Sequence, residues 1–98
     1  MSKINLNEQA AALKEAWRSI VVGRAADANI KVLRMDGRSY PIEVHEFNEA
    51  LLVLDGTMNL DIGGQVVKVH SGEIYVVLAG LPHAIAPGSE GTLVIVDR

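Results

Sequence analysis

The chain of 98 residues has no cysteine, and that absence removes disulfide stapling, thiolate metal sites and cysteine nucleophiles together. Any metal would have to be held by histidine and carboxylate. Aromatic residues are almost as scarce: one Trp, one Phe and two Tyr supply little of the stacking surface that nucleic-acid bases or sugar rings need. The core is therefore expected to be aliphatic. There is no excess of positive charge, since 9 basic residues against 12 acidic ones give a formal charge of −3, the wrong sign for binding a phosphate backbone. Nucleic acid is not an expected partner. No apolar run approaches the roughly 18 residues of a membrane span, and Met1 to Ala12 lack the apolar stretch of a secretory leader. The expectation is a cytoplasmic protein with no membrane partner.

What the chain does have is aliphatic mass. Leu, Ile and Val account for 30 of its residues, and 49% of the chain is apolar, enough for a folded core and too much for a disordered segment. Its length lies at the lower edge of the range of about 100 to 150 residues typical of one domain. One structural domain is expected, organised as an N-terminal helix and arm over residues 1–29 and a β-barrel over residues 30–98.

Leu6, Ala10, Leu13, Trp17 and Ile20 recur at the spacing of one helix face. Asn5 with Glu8 three residues later resembles a capping box, Gly23 is the expected stop, and Trp17 reads as a packing residue on that face. Beyond Gly23 the pattern changes to short β-rich runs: Ile30–Met35, Tyr40–Phe47, Leu51–Leu54, Met58–Ile62, Gln65–His70, Ile74–Leu78 and Thr92–Val96. Turn residues separate most of them, Asp55-Gly56-Thr57 included, and no second helical pattern intervenes, so the class is all-β, an antiparallel sandwich or barrel. Ile62-Gly63-Gly64-Gln65 is a two-residue hairpin that opposes Met58 to Val69, Leu60 to Val67 and Asn59 to Lys68. A helix stripe through Leu13 and Trp17, together with an outward Ile42/Val44 face, exceeds what a monomer of this size readily exposes and predicts a homodimer.

Residues capable of chemistry gather in Glu43-Val44-His45-Glu46-Phe47-Asn48-Glu49. On a strand Glu43 and His45 share a face, and burying them is costly unless they are paired or bound to a metal. Gly37, five residues, Glu43, one residue, His45, three residues, Glu49, six residues and Gly56 resembles the first motif of the cupin family, with Glu43 in place of the first histidine. Gly72, five residues, Leu78-Ala79-Gly80, two residues and His83 resembles the second motif, with Leu78 in place of its proline and Pro87 in place of its closing asparagine. The resemblance runs from about Arg34 to Pro87 and implies a double-stranded β-helix, or jelly roll, with a short N-terminal helix.

That resemblance also implies a site. His45, Glu49 and His83 match three of the family's four metal ligands, and Glu43 stands where the fourth would be. A set of two His and two Glu suits Fe, Mn, Zn or Ni as a divalent ion. The function implied is a small metal-binding cupin that binds or converts a small polar metabolite, with Glu43 and Glu49 as candidate catalytic bases. Phe47, Met58 and Tyr75 are candidates for the pocket lining. Two other readings stay open: a non-catalytic ligand-binding or sensory module, and a metal-free isomerase or epimerase in which His45 or His83 is the base. His70, at a strand end outside both motifs, is left out of the site.

Overall fold

A computed structural model describes residues 3–98. The elements are α1 (Leu6–Ala12), β1 (Ile20–Ala25), β2 (Ala28–Asp36), β3 (Tyr40–Glu43), β4 (Glu49–Ile62), β5 (Gln65–His70), β6 (Ile74–Val77), β7 (His83–Ile85) and β8 (Glu90–Asp97). Every pairing is antiparallel, in the order β1-β2-β8-β4-β7-β3, with β5 and β6 also paired to β4. The curled sheet is that of a jelly-roll barrel.

β4 organises this barrel. Its first half lies between β8 and β6, and its second half between β7 and β5. One strand can serve both halves only by bending, and the register against β8 shifts between Val53 and Asp55 as a bulge would require. Leu51–Leu54 and Met58–Ile62, expected as two strands joined by a turn, are therefore one bent strand of 14 residues. The reason is Gly56, which stays in the ladder opposite Gly91. Both have positive φ, +85° and +110°, and a Cβ on either would run into the backbone of the other strand. Only glycine lets the two chains approach so closely.

The hairpin register is the expected one: Met58 pairs with Val69, Leu60 with Val67 and Asn59 with Lys68. Gly63 and Gly64 both take positive φ, 59° and 87°, as a primed turn demands. The apolar face of this hairpin supplies Met58, Leu60 and Val69 to the core, where Val53 and Leu93 complete the most deeply buried layer.

The N-terminal segment departs from expectation. Asn5 does cap a helix, its side chain accepting the Glu8 backbone N–H at 3.0 Å, but the helix ends at Ala12 and does not reach Trp17, Ile20 or Gly23. Arg34 on β2 donates to the carbonyls of Ala10 and Leu13. Those are acceptors the next helical turn would have used, and Leu13 takes an extended conformation. Ile20-Val21-Val22 is β-branched throughout, and joins the sheet as β1. Position 30 consequently lies inside β2. Two further differences follow from length: β3 stops at Glu43, short of the expected Phe47, and β7 has three residues, too few to show a period.

Candidate metal centre

Three strands and one link deliver the site. Glu43 ends β3, Glu49 begins β4, His83 begins β7, and His45 stands in the link between β3 and β4. β7 pairs with β3 on one edge, placing Glu43 opposite His83, and with β4 on the other. Two chain segments more than thirty residues apart are thereby brought face to face. His45 Nε2 lies 2.8 Å from Glu43 Oε2 and 3.6 Å from Glu49 Oε2, and His83 Nε2 lies 3.1 Å from Glu49 Oε1. One donor atom from each of the four residues falls within 4.8 Å of all the others. This His/Glu group could hold a metal ion.

The donor chemistry fits a cation. His83 Nδ1 is 3.1 Å from the Leu81 carbonyl oxygen, an atom that can only accept, so Nδ1 carries the proton. In the neutral imidazole Nε2 is then a lone pair aimed at the buried Glu49 carboxylate. Two acceptors at that distance require a shared proton or a positive ion. A ring N–H donated to a backbone carbonyl is also how metal-binding histidines are usually oriented.

Burial is uneven across the cluster. Glu49 and His83 are each 5% exposed, while Glu43 and His45 are half-buried. Loss of solvent pushes the Glu49 carboxyl above its ordinary range, a hydrogen bond with Asp97 pushes the same way, and the nearby His45 and His83 pull it back. Asp97 is buried and its carboxylate meets Lys31 Nζ at 2.9 Å. Tyr40 is raised by burial first, then by the Glu43 charge and a hydrogen bond to it. Its hydroxyl therefore stays protonated at neutral pH beside the Glu43 carboxylate.

The cluster lines a cavity of about 270 Å³ together with Trp17, Lys31, Tyr40, Asp97 and the aliphatic Leu33, Leu51, Leu93 and Ile95. Phe47, Met58 and Tyr75 are not among its lining residues. Phe47 stacks on the outer side of His45, with ring centroids 5.1 Å apart, and borders a separate, shallower hollow. Met58 is fully buried because its strand face points into the core, and Tyr75 packs against the same core. His70 is exposed on β5, away from the site.

Sequence reasoning missed Trp17, Lys31, Tyr40 and Asp97. Lys31 and Asp97 carried no local signal: they reach the cavity because β2 and β8 pair, with Lys31 beside Ile95 and Asn29 beside Asp97. Trp17 was hidden by its place in a helical spacing that the chain does not follow. It adopts φ 68°, a left-handed backbone that a bulky residue occupies at a cost of about 1–3 kcal/mol. Three contacts hold it there. Its backbone N–H donates to the Arg34 carbonyl, its indole N–H to Asp36, and its ring packs on Tyr40 at 5.8 Å.

The family model described as Cupin domain matches residues 32–97. No curated protein matches the chain. Among solved structures, a cupin-2 domain containing protein from Shewanella frigidimarina superposes with a TM-score of 0.88 at 23% identity, covering 99% of this chain and 96% of that one. A protein from Neisseria meningitidis gives 0.83 at 24% identity, with 97% of each chain covered. One from Thermus thermophilus gives 0.80 at 20% identity over 100% of this chain and 98% of that one. At such identities the likeness is one of fold.

Proposed function

The chain belongs to the cupin family, and from that premise we propose that it binds a divalent metal through Glu43, His45, Glu49 and His83 and uses it to hold or convert a small polar ligand. The observation that carries this reading is the convergence of four donor atoms, within 4.8 Å of one another, from residues as far apart in the chain as Glu43 and His83. Fe, Mn, Zn and Ni all suit two imidazoles and two carboxylates. When bound, such an ion supplies Lewis acidity toward a ligand oxygen.

The protein's own groups have separate tasks. Leu81 orients His83 through Nδ1, and Phe47 backs the ring of His45. Tyr40 steadies Glu43. Asp97, neutralised by Lys31, abuts Glu49. Glu43 is the less buried carboxylate and the one placed to take a proton from a ligand in the cavity, whereas Glu49 is enclosed by both histidines.

Elemental analysis after loading with Fe, Mn, Zn or Ni tests this directly. Close to one ion per chain is expected, falling to background in a His45→Ala, His83→Ala double variant; a wild type that takes up none of the four refutes the proposal. A metal-free reading has one observation in its favour, the 2.8 Å contact between His45 and Glu43, which would orient the imidazole as a base. Turnover unaffected by chelators would mark it.

We also propose a homodimer. Ile42 and Val44 do face outward, 69% and 58% exposed, but the helix half of the expected surface is absent. Leu13 and Trp17 do not form an exposed helix stripe, because the helix ends before them. The outer face of the sheet is aliphatic instead: Ile74, Leu52 and Val94 form one cross-strand row, and Val76, Ala50, Val96 and Ile30 the next. α1 packs on β2 and β8, leaving Ile74, Val76 and Leu78 about half or more exposed. No charge interrupts these rows, which favours an equally aliphatic partner surface.

A further inference from the structure

We propose that Lys31 and Asp97 together form a recognition site for a neutral hydroxyl group, so that the ligand is a short hydroxylated molecule with one polar end at the His/Glu cluster and a hydroxyl at this pair. The first end rests on the metal reading above; the second end, and the residues that select it, are added here.

Position gives the first argument. On β2 the side chain of Lys31 shares a face with Leu33 and Met35, which are both buried in the core. Lys31 pairs with Ile95 on β8, and Ile95 with Leu51 on β4, and all three line the cavity. A lysine whose side chain is only 23% exposed is thus set into an aliphatic row, where a charge is costly. Tying β2 to β8 does not account for it, because an enclosed ion pair holds two strands no better than a well-packed apolar pair. Arg34, the other cation of β2, spends its guanidinium on the Ala10 and Leu13 carbonyls. Lys31 is left as the one permanently positive side chain on the cavity wall among the described residues.

Unspent hydrogen-bonding capacity gives the second. Asp97 is 7% exposed and also lines the cavity. Its Oδ1 lies 2.9 Å from Lys31 Nζ, yet off the directions a hydrogen bond needs, and this buried oxygen has no hydrogen-bond partner. An orphaned buried acceptor is costly, and it stands beside an ammonium that has three N–H donors. A hydroxyl answers both at once, accepting from Lys31 and donating to Asp97. One oxygen can reach the two atoms because their separation is about the length of a single hydrogen bond. Other groups fail one partner or the other. A carboxylate only accepts and would be set beside Asp97 and Glu49, an ammonium only donates and would meet Lys31, and a methyl leaves Oδ1 orphaned. Asp97 also abuts Glu49, so only a short spacer separates this pair from the cluster.

The test titrates three probes by calorimetry into the Zn(II)-loaded protein. They share a carboxylate end and differ at the other: 4-hydroxybutyrate has a hydroxyl, pentanoate a methyl and succinate a second carboxylate. The wild type is expected to bind 4-hydroxybutyrate roughly tenfold more tightly than the other two, the factor one buried hydrogen bond supplies. In a Lys31→Met, Asp97→Leu double variant, which removes both charges together and strands neither, the preference over pentanoate should vanish. No preference in the wild type, or the same preference in both proteins, overturns the hydroxyl site and leaves the metal reading intact. Should the variant fail to fold or to load, the Lys31 ammonium resonance followed by NMR in the wild type decides instead. A shift with 4-hydroxybutyrate but not with pentanoate supports the proposal, and a shift with both or with neither overturns it. If the wild type takes up no Zn(II), the metal reading fails separately, and the same NMR comparison on the metal-free protein decides the pair.

Discussion

Replacing Glu49 by glutamine should make the metal-free protein more stable at neutral pH while weakening its hold on metal. Glu49 is buried against Asp97, and its carboxyl is pushed up chiefly by loss of solvent. A carboxyl raised in the folded state contributes stability that is complete below its ordinary value, 4.5, and is lost as the pH rises through the raised value. Above that raised value the wild type without metal carries an ionised carboxylate in a poor environment. The glutamine side chain is nearly isosteric, needs no ionisation, and its amide N–H can donate to Asp97, a hydrogen bond to a charged group worth about 1.5–3 kcal/mol. Discounting half of that for imperfect geometry leaves about 1 kcal/mol, or roughly 4–8 °C in Tm for a domain this small. Metal acts the other way: at a free concentration of a hundred times Kd it stabilises the wild type by about 2.7 kcal/mol, more than the substitution gains. Thermal melts of wild type and the Glu49→Gln variant, with Zn(II) and with chelator, at pH 7 and at pH 4, provide the assay. In chelator the variant should melt higher at pH 7 and lose that advantage at pH 4, whereas in Zn(II) the wild type should melt higher at pH 7. A metal-free variant less stable than wild type at pH 7, or equal gains from Zn(II) in both proteins, would refute the reasoning.

Gly56→Ala should destabilise severely, by about 2 kcal/mol or more from backbone strain alone, because its Cβ meets the Glu90 and Gly91 backbone; Gly63→Ala, whose Cβ meets nothing, should cost less, and urea midpoints will rank the two. Met58→Ala should cost about 2–5 kcal/mol, since the side chain is fully buried, without altering metal content. Light scattering should find a dimer that Ile74→Lys with Val76→Lys converts to a monomer, and a wild type that is monomeric at micromolar concentration would remove the proposed interface.

Local signals in the chain are readable where a short stretch decides its own conformation. Gly63-Gly64 fixes the β4–β5 register because a two-residue loop leaves no slack, and Asn5 caps its helix because the partner N–H is three residues away. Asp55-Gly56-Thr57 reads as a turn and is not one, for the opposite reason. Gly56 is required by Gly91, thirty-five residues further on, and nothing near position 56 announces that contact. Trp17 misleads in the same way: Arg34 takes the helix's last carbonyls and ends it, which no helical spacing can reveal.

The site divides along the same line. The resemblance to the two cupin motifs grouped Glu43, His45, Glu49 and His83 from the sequence alone, because the residues of those motifs are legible in the chain. Only the tertiary structure decided what surrounds them. Asp97 and Lys31 reach the cavity through β2–β8 pairing, and Trp17 meets Tyr40 because hydrogen bonds to Arg34 and Asp36 tie the arm to β2. The absence of cysteine pointed to a His and carboxylate site, and that followed from composition. The scarcity of aromatics suggested that little was left for stacking, but composition counts residues and does not place them; long-range packing set two of the four, Trp17 and Tyr40, on the wall of one cavity.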